Sequence, residues 1–287
     1  MKSGFATLIG RPNVGKSTLL NRILGSKVSI VSDKAQTTRT QVRGIWNLRS
    51  ATQADTPDAQ VVFVDTPGIH KPKTLLGERL NDTATSSVGD VDVVLFVLDA
   101  TQPLGRGDHF IADTLPASGM CVVNKVDLAS REQLLTQLVA AGNELPFDDF
   151  FPVSAKTGEG VPALLDAIVA RLPEGPQYYP DDTVTDVPEA FWVAELVREQ
   201  LLAVTREEVP HSIATRVTEW EWPRIRVEIL VERDSQKGIV IGKGGNVLKQ
   251  VGTNVRQQLA EGAYIELFVK VDKDWQHRAK ALERLGY

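Results

Sequence analysis

The sequence predicts an α/β domain, a mostly parallel sheet with helices on both faces, followed by a smaller α+β domain. Three observations carry this. Short apolar runs alternate with helical stretches over roughly the first 170 residues, the pattern of strands buried on both faces. Residues 172–188 then carry Pro173, Pro176, Pro180 and Pro188 among several aspartates, a composition that resists helix and strand alike. Beyond them the order changes to a helix, two strands, a glycine-rich loop, a helix and a strand. A length of 287 residues exceeds the usual single domain. The expected division is 1–172, a linker over 173–188, and 189–287.

Residues 5–10 are apolar and run into a glycine-rich turn, after which residues 16–24 read as helix: strand, loop, helix. Further buried-strand runs are expected at 61–64, 91–98, 120–123 and 151–153, with helical stretches at 74–87 and 131–141 between them. In such sheets ligands bind where loops converge at the carboxyl ends of the strands. In the second part, Phe191, Val193, Leu196, Val197, Leu201 and Val204 recur at helical spacing over residues 189–208, and Pro210 is expected to end that helix. Strands are expected at about 213–220 and 224–233, then a glycine-rich loop, a helix over about 246–260 and a strand over about 264–271.

With 42% hydrophobic and 24% charged residues the composition is that of a globular chain. No apolar run reaches the roughly 18–20 residues that cross a bilayer, and the start lacks a signal-peptide apolar region, so a cytoplasmic location is expected. The lone Cys121 has no disulfide partner and reads as core filler, and His70, His109, His211 and His277 lack metal spacing, so no zinc site is expected. The net charge of −5 lies entirely N-terminal, because residues 189–287 hold 15 basic and 15 acidic side chains. Within them Arg233, Lys237, Lys243, Lys249 and Arg256 are interrupted by one acid, Asp234, which suggests a local basic patch.

Gly10-Arg11-Pro12-Asn13-Val14-Gly15-Lys16-Ser17-Thr18 fits the phosphate-cradling pattern Gly-x₄-Gly-Lys-Ser. Its glycines let consecutive N–H groups curl around phosphate oxygens, and the following helix points its positive end at them. Lys16 would neutralise β- and γ-phosphate charge, and the Ser17 hydroxyl suits Mg²⁺. The bare pattern arises by chance in roughly one chain of this length per hundred, so its downstream partners decide. Asp65-Thr66-Pro67-Gly68 follows the 61–64 run, where Asp65 can hold Mg²⁺ through water and the Gly68 N–H can meet the γ-phosphate. Asn124-Lys125-Val126-Asp127 follows the next-but-one run. Asp127 can accept from both guanine N1–H and the exocyclic amine, whereas adenine would leave it unpaired, a difference of about 10⁴-fold in such sites. Asn124 would tie this loop to the phosphate loop, Lys125 would cover the base, and Ser154-Ala155-Lys156 would form the last wall with the Ala155 N–H offered to guanine O6. The ligands expected are GTP and GDP.

These four elements in order resemble the translation-factor-like GTPases of the Ras-like class, which implies a P-loop GTPase fold for the first domain. The resemblance implies that Thr38, in Gln36-Thr37-Thr38-Arg39, is the switch residue that contacts Mg²⁺ in the GTP state, with Thr37 and Thr40 as nearby competitors. Ile69 stands where that class commonly has a water-orienting Gln, and isoleucine cannot orient water. The resemblance then makes K⁺ a candidate cofactor bound with the help of Asn13; the alternative, in which Asn13 only shapes the loop, stays open. Gly242-Lys243-Gly244-Gly245, between an apolar segment and a helix, resembles the RNA-gripping loop of a type II KH domain, with Lys237, Lys243 and Lys249 placed for phosphate.

A GTPase domain followed by a KH domain resembles the Era-like GTPases of bacterial ribosome assembly, and the match extends over nearly the whole chain. It implies binding near the 3′ end of 16S rRNA, a role in small-subunit maturation, and RNA-stimulated GTP hydrolysis. An RNA-binding module with a largely structural or very slow nucleotide domain is the competing expectation, and peripheral association with the inner face of the membrane a third. Residues 48–58 look longer than the family's hairpin, and the strand before Asn124 looks short. Trp220, Trp222 and, beside Lys273, Arg278 and Lys280, Trp275 are candidates for base stacking, against the alternative that they are core or surface-strand residues.

Overall fold

The computed structural model describes residues 1–49 and 57–287. The chain packs as two compact units that do not follow chain order. One comprises Met1–Ser29, Thr38–Lys71 and Leu80–Asp186; the other comprises Ile30–Thr37, Pro72–Arg79 and Val187–Tyr287.

In the first unit β1 (Lys2–Ile9), β2 (Val42–Leu48), β3 (Ala59–Asp65), β4 (Val93–Asp99), β5 (Met120–Asn124) and β6 (Asp149–Pro152) form a sheet in the order β2-β3-β1-β4-β5-β6. All neighbours are parallel except β2 and β3. Every residue of β3 and of β5 is buried, as contiguous apolar strands covered on both faces require. The covering helices are α1 (Lys16–Leu24), the part of α2 (Leu75–Ser86) from Leu80 onward, α3 (Arg106–Ala112), α4 (Arg131–Glu144) and α5 (Val161–Arg171). Cys121 lies in the core with Ile9, Phe96, Leu98 and Phe147. The sheet order puts β1 between β3 and β4, so the loops after β1, β3, β5 and β6 open at one edge.

Residues 173–186 run along this unit. The Ser3 N–H donates to the Pro173 carbonyl at 3.0 Å, and the Gln60 side chain accepts from the Tyr178 and Tyr179 N–H groups at 2.8 and 3.0 Å. Their prolines remove donors but leave carbonyls that strands can use. The stretch 48–58 falls mostly on residues 50–56, outside the described residues; at its ends the Asp58 N–H donates to Leu48 O at 2.8 Å.

In the second unit α6 (Glu189–Val204), α7 (Val209–Ser212), β7 (Ala214–Glu221), β8 (Arg224–Val231), α8 (Asp234–Ile241), α9 (Asn246–Arg256), β9 (Tyr264–Val271) and α10 (Ala279–Leu285) follow in order. β7 and β8 are antiparallel, β8 and β9 parallel. Val227, Ile229 and Val231 of β8 pack with Leu196 and Val197 of α6 and with Val251 and Val255 of α9. Two expectations are corrected. Helix α6 ends at Val204, where the Thr205 hydroxyl donates to Leu201 O at 2.6 Å, and Pro210 lies inside α7. The glycine-rich stretch is helical up to Ile241, because Gln236 Oε1 accepts from the Glu232 and Arg233 N–H groups at 2.9 and 3.0 Å and Val240 is anchored in the core. Residues 72–79 belong to this unit through Arg79, which donates to Tyr287 O at 2.7 Å and pairs with Glu283.

Candidate functional site

The loop after β1 folds over its own lysine. Lys16 Nζ donates to the Gly10 and Arg11 carbonyls at 3.1 and 3.0 Å, and burial pulls its ammonium down to about 8, opposed by the charge of Asp65. Asn13 and Gly15 are left-handed, φ 66° and 99°. A Cβ at Gly15 would collide with the Asn124 amide, so only glycine fits there. Gly15 caps α1, whose first turn holds Lys16, Ser17 and Thr18.

Three hydroxyls converge on Asp65 at the end of β3. Ser17 Oγ donates to Asp65 Oδ2 at 2.6 Å, Ser29 Oγ at 2.8 Å and Thr38 Oγ1 at 3.4 Å, while Ser17 Oγ and Thr38 Oγ1 lie 2.9 Å apart. The structure thus brings Thr38, rather than its neighbours Thr37 and Thr40, to Ser17 and Asp65. Burial raises the Asp65 carboxyl above the usual carboxylate range, with the Ser17 hydrogen bond and the Lys16 charge opposing it. Its other oxygen, Oδ1, is buried without a hydrogen-bond partner. An orphaned carboxylate oxygen beside two hydroxyls is an all-oxygen donor set, which suits Mg²⁺. Ser29 carries no motif. It is pinned by Asn21, whose Oδ1 accepts from the Val28 and Ser29 N–H groups at 2.9 and 3.0 Å. Gly68 approaches the phosphate loop so closely that a Cβ would sit 2.7 Å from Pro12 N. The neighbouring Ile69 is buried in the core.

The loops expected to recognise the base are tied to the loop after β1 by Asn124. Its Nδ2 donates to Val14 O and its Oδ1 accepts from the Ala155 N–H, both at 2.9 Å. The Ala155 N–H expected to face guanine therefore already serves Asn124. Asp127 Oδ1 accepts from Ser154 Oγ at 2.7 Å, and Lys125 Nζ pairs with Asp99 at 2.6 Å. Arg22 of α1, which no motif singles out, holds the Ala155 carbonyl at 3.0 Å and also the Lys156 carbonyl. A cleft of about 350 Å³ is lined by Arg11, Asn13, Val14, Asp99 and Lys125 among others.

In the second unit Gly242, Gly244 and Gly245 have φ of 75°, 61° and 79°, a backbone suited to glycine, and Gly245 caps α9. Lys243 and Lys249 are exposed and Lys237 half-buried. Trp220 and Trp222 are exposed, but Trp275 is wholly buried with Nε1 donating to Ser212 O at 2.9 Å. Its candidacy for base stacking is withdrawn: the indole is core, and its one donor is used.

The 50S ribosome-binding GTPase family matches residues 5–125 and the KH domain family residues 208–276. A GTPase Era of Leuconostoc citreum (strain KM20) is 45% identical over the whole chain and 96% of its own length. Two solved structures superpose with a TM-score of 0.92 at 38% identity over the whole chain and 99% of theirs. One is a point variant of Aquifex aeolicus Era bound to GDP·AlF4⁻; the other is Era in complex with MgGDPNP and nucleotides 1506–1542 of 16S ribosomal RNA.

Proposed function

The chain belongs to the Era family of GTPases, and from that premise we propose that it is a GTP-hydrolysing switch whose second domain binds 16S rRNA near its 3′ end during small-subunit assembly. The observation that carries this is the convergence of Ser17, Thr38 and Asp65, from three separate segments, around an orphaned carboxylate oxygen. Residues 1–172 would be the GTPase domain, 173–188 the linker and 189–287 the KH domain.

Lys16 leaves its two carbonyls for the β- and γ-phosphates, which restore its full charge. Ser17 and Thr38 offer hydroxyl oxygens to Mg²⁺ and Asp65 holds it through water. When bound, the ion neutralises charge on the β- and γ-phosphate oxygens. The Gly68 N–H meets the γ-phosphate because no side chain keeps it from the phosphate loop. Asp127, oriented by Ser154, selects guanine. Ile69, sealed in the core, orients no water, so hydrolysis depends on positioning and on charge supplied elsewhere, for which K⁺ held near Asn13 is our candidate; equal rates in K⁺ and Na⁺ buffers would exclude it. In the second domain the left-handed glycines let the chain 242–245 lie against the RNA backbone, with Lys237, Lys243 and Lys249 on phosphates.

The test is GTP hydrolysis by the full chain and by Lys16→Ala, each with and without an RNA carrying the 16S 3′ end. Turnover is expected in the parent, stimulated by that RNA and lost in the variant; a parent with no turnover in either condition overturns the reading. Among the described residues no helix is long and apolar enough to cross a membrane. We place the protein in the cytoplasm. Peripheral membrane association is supported by the basic residues between Arg233 and Arg256, and failure to pellet with anionic vesicles would remove it.

A further inference from the structure

Helix α6 buries an arginine completely. Arg198 is 0% exposed, and a buried guanidinium is tolerated only when its N–H groups are met by acceptors. Glu195, one turn earlier, takes Nε at 2.8 Å and Nη2 at 2.5 Å. The remaining donors point at main-chain carbonyls, Nη1 to Gln36 at 3.5 Å and Nη2 to Thr37. The adjacent Glu199 accepts from the Val31 N–H at 2.9 Å. Two consecutive residues of α6 thus hold both ends of the segment Ile30–Thr37, which packs in the second unit. The segment contains a left-handed Gln36, φ 60°, a conformation that persists only where its surroundings enforce it.

Resting on the reading of Thr38 as the GTP-state ligand, we propose that Arg198 is a positioning residue: with Glu195 and Glu199 it sets the backbone of residues 31–37 and thereby the placement of Thr38, the next residue in the chain. The contacts are to backbone, so they fix the path of the segment. The fork of an arginine matches the task, since one edge is held by a carboxylate while outer N–H groups reach two successive carbonyls; a lysine has the charge without the fork. The same helix meets the RNA-proximal one. Asn254 of α9, the helix that starts at Gly245, donates to Gln200 of α6 at 2.9 Å, one residue beyond Glu199. Occupancy of the 242–245 loop and the path of residues 31–37 therefore bear on one rigid element.

The experiment compares the full-length parent with Arg198→Lys and Glu199→Met. Measured are affinities for GDP and for a non-hydrolysable GTP analogue, the Mg²⁺ concentration for half-maximal analogue binding, single-turnover hydrolysis with and without the RNA, and RNA affinity without nucleotide. For Arg198→Lys we expect GDP and RNA affinities within about twofold of the parent, analogue affinity and hydrolysis down about tenfold, and a raised Mg²⁺ requirement. Glu199→Met should shift the same quantities about threefold and serves if Arg198→Lys does not fold. Parental analogue affinity and Mg²⁺ requirement in the folded variants overturn the proposal, as does an equal loss of GDP, analogue and RNA binding, which would mark Arg198 as a structural residue. The parent arm alone tests the GTPase reading, so the two failures are separate.

Discussion

Asn124→Ala removes one side chain that closes two buried backbone bonds. Asn124 is 1% exposed, and its amide joins Val14 O to the Ala155 N–H, both at 2.9 Å. Truncation leaves a carbonyl and an N–H without partners in a site too tight for ready replacement. Each costs about 1–3 kcal/mol when left unmet, so the expected loss of stability is about 2–6 kcal/mol. The phosphate loop and the Ser154 loop must also be drawn back together when nucleotide binds. If about 2 kcal/mol of that falls on binding, GDP affinity drops about 30-fold. Asn124→Asp sharpens the prediction. It keeps an acceptor for the Ala155 N–H but sets a carboxylate against Val14 O, so its GDP affinity should be no better than that of the alanine variant. Denaturant unfolding of the nucleotide-free protein and equilibrium GDP titration are the assays. A stability change under roughly 0.5 kcal/mol together with GDP affinity within twofold of the parent would refute the reasoning.

Gly68→Ala puts a Cβ 2.7 Å from the backbone nitrogen of Pro12, which cannot yield as a side chain would. Overpacking of this kind costs about 1–3 kcal/mol, and because the clash separates the 65–68 loop from the phosphate loop it should slow GTP hydrolysis more than it weakens GDP, as single-turnover rates and GDP titration would reveal. Lys16 sits at about 8 without nucleotide, and phosphates should raise it; affinity is then complete below that pH and falls as pH rises through it, by about tenfold one unit above. Calorimetry near pH 8 should find about half a proton taken up per nucleotide bound, and a heat independent of the buffer's ionisation enthalpy would contradict this. Burial pushes the Cys121 thiol up to about 12, so thiol reagents should label it only at the rate of unfolding; stoichiometric labelling of the native protein within minutes would show the core open there. Lys243→Ala with Lys249→Ala should weaken RNA binding and lower its salt slope by about 1.4, which filter binding across salt concentrations measures.

Much of the first unit was legible because parallel strands buried on both faces read as unbroken apolar runs, and β3, β4 and β5 lie where those runs predict. The boundary at Val204 was not, because the Thr205 hydroxyl ends the helix by returning to Leu201 O, a contact that threonine makes only in some settings. Trp275 resembled a surface aromatic among basic neighbours, but the tertiary structure buries it against Tyr287, with its Nε1 on Ser212, 63 residues away.

By itself the sequence determined the nucleotide chemistry, since a phosphate cradle, an Mg²⁺ donor set and a guanine acceptor each need particular residue types at short, fixed spacing. It also marked the 242–245 loop as the candidate RNA grip, and the left-handed backbone there suits its glycines. The tertiary structure alone decided which hydroxyls join Asp65, that Asn124 bridges two loops, and that residues 30–37 pack with the second unit. The physical reason is in the partners. Arg198 reaches carbonyls 161 and 162 residues away in the chain, and a carbonyl belongs to every residue, so no pattern of side chains can announce which ones a buried arginine will find.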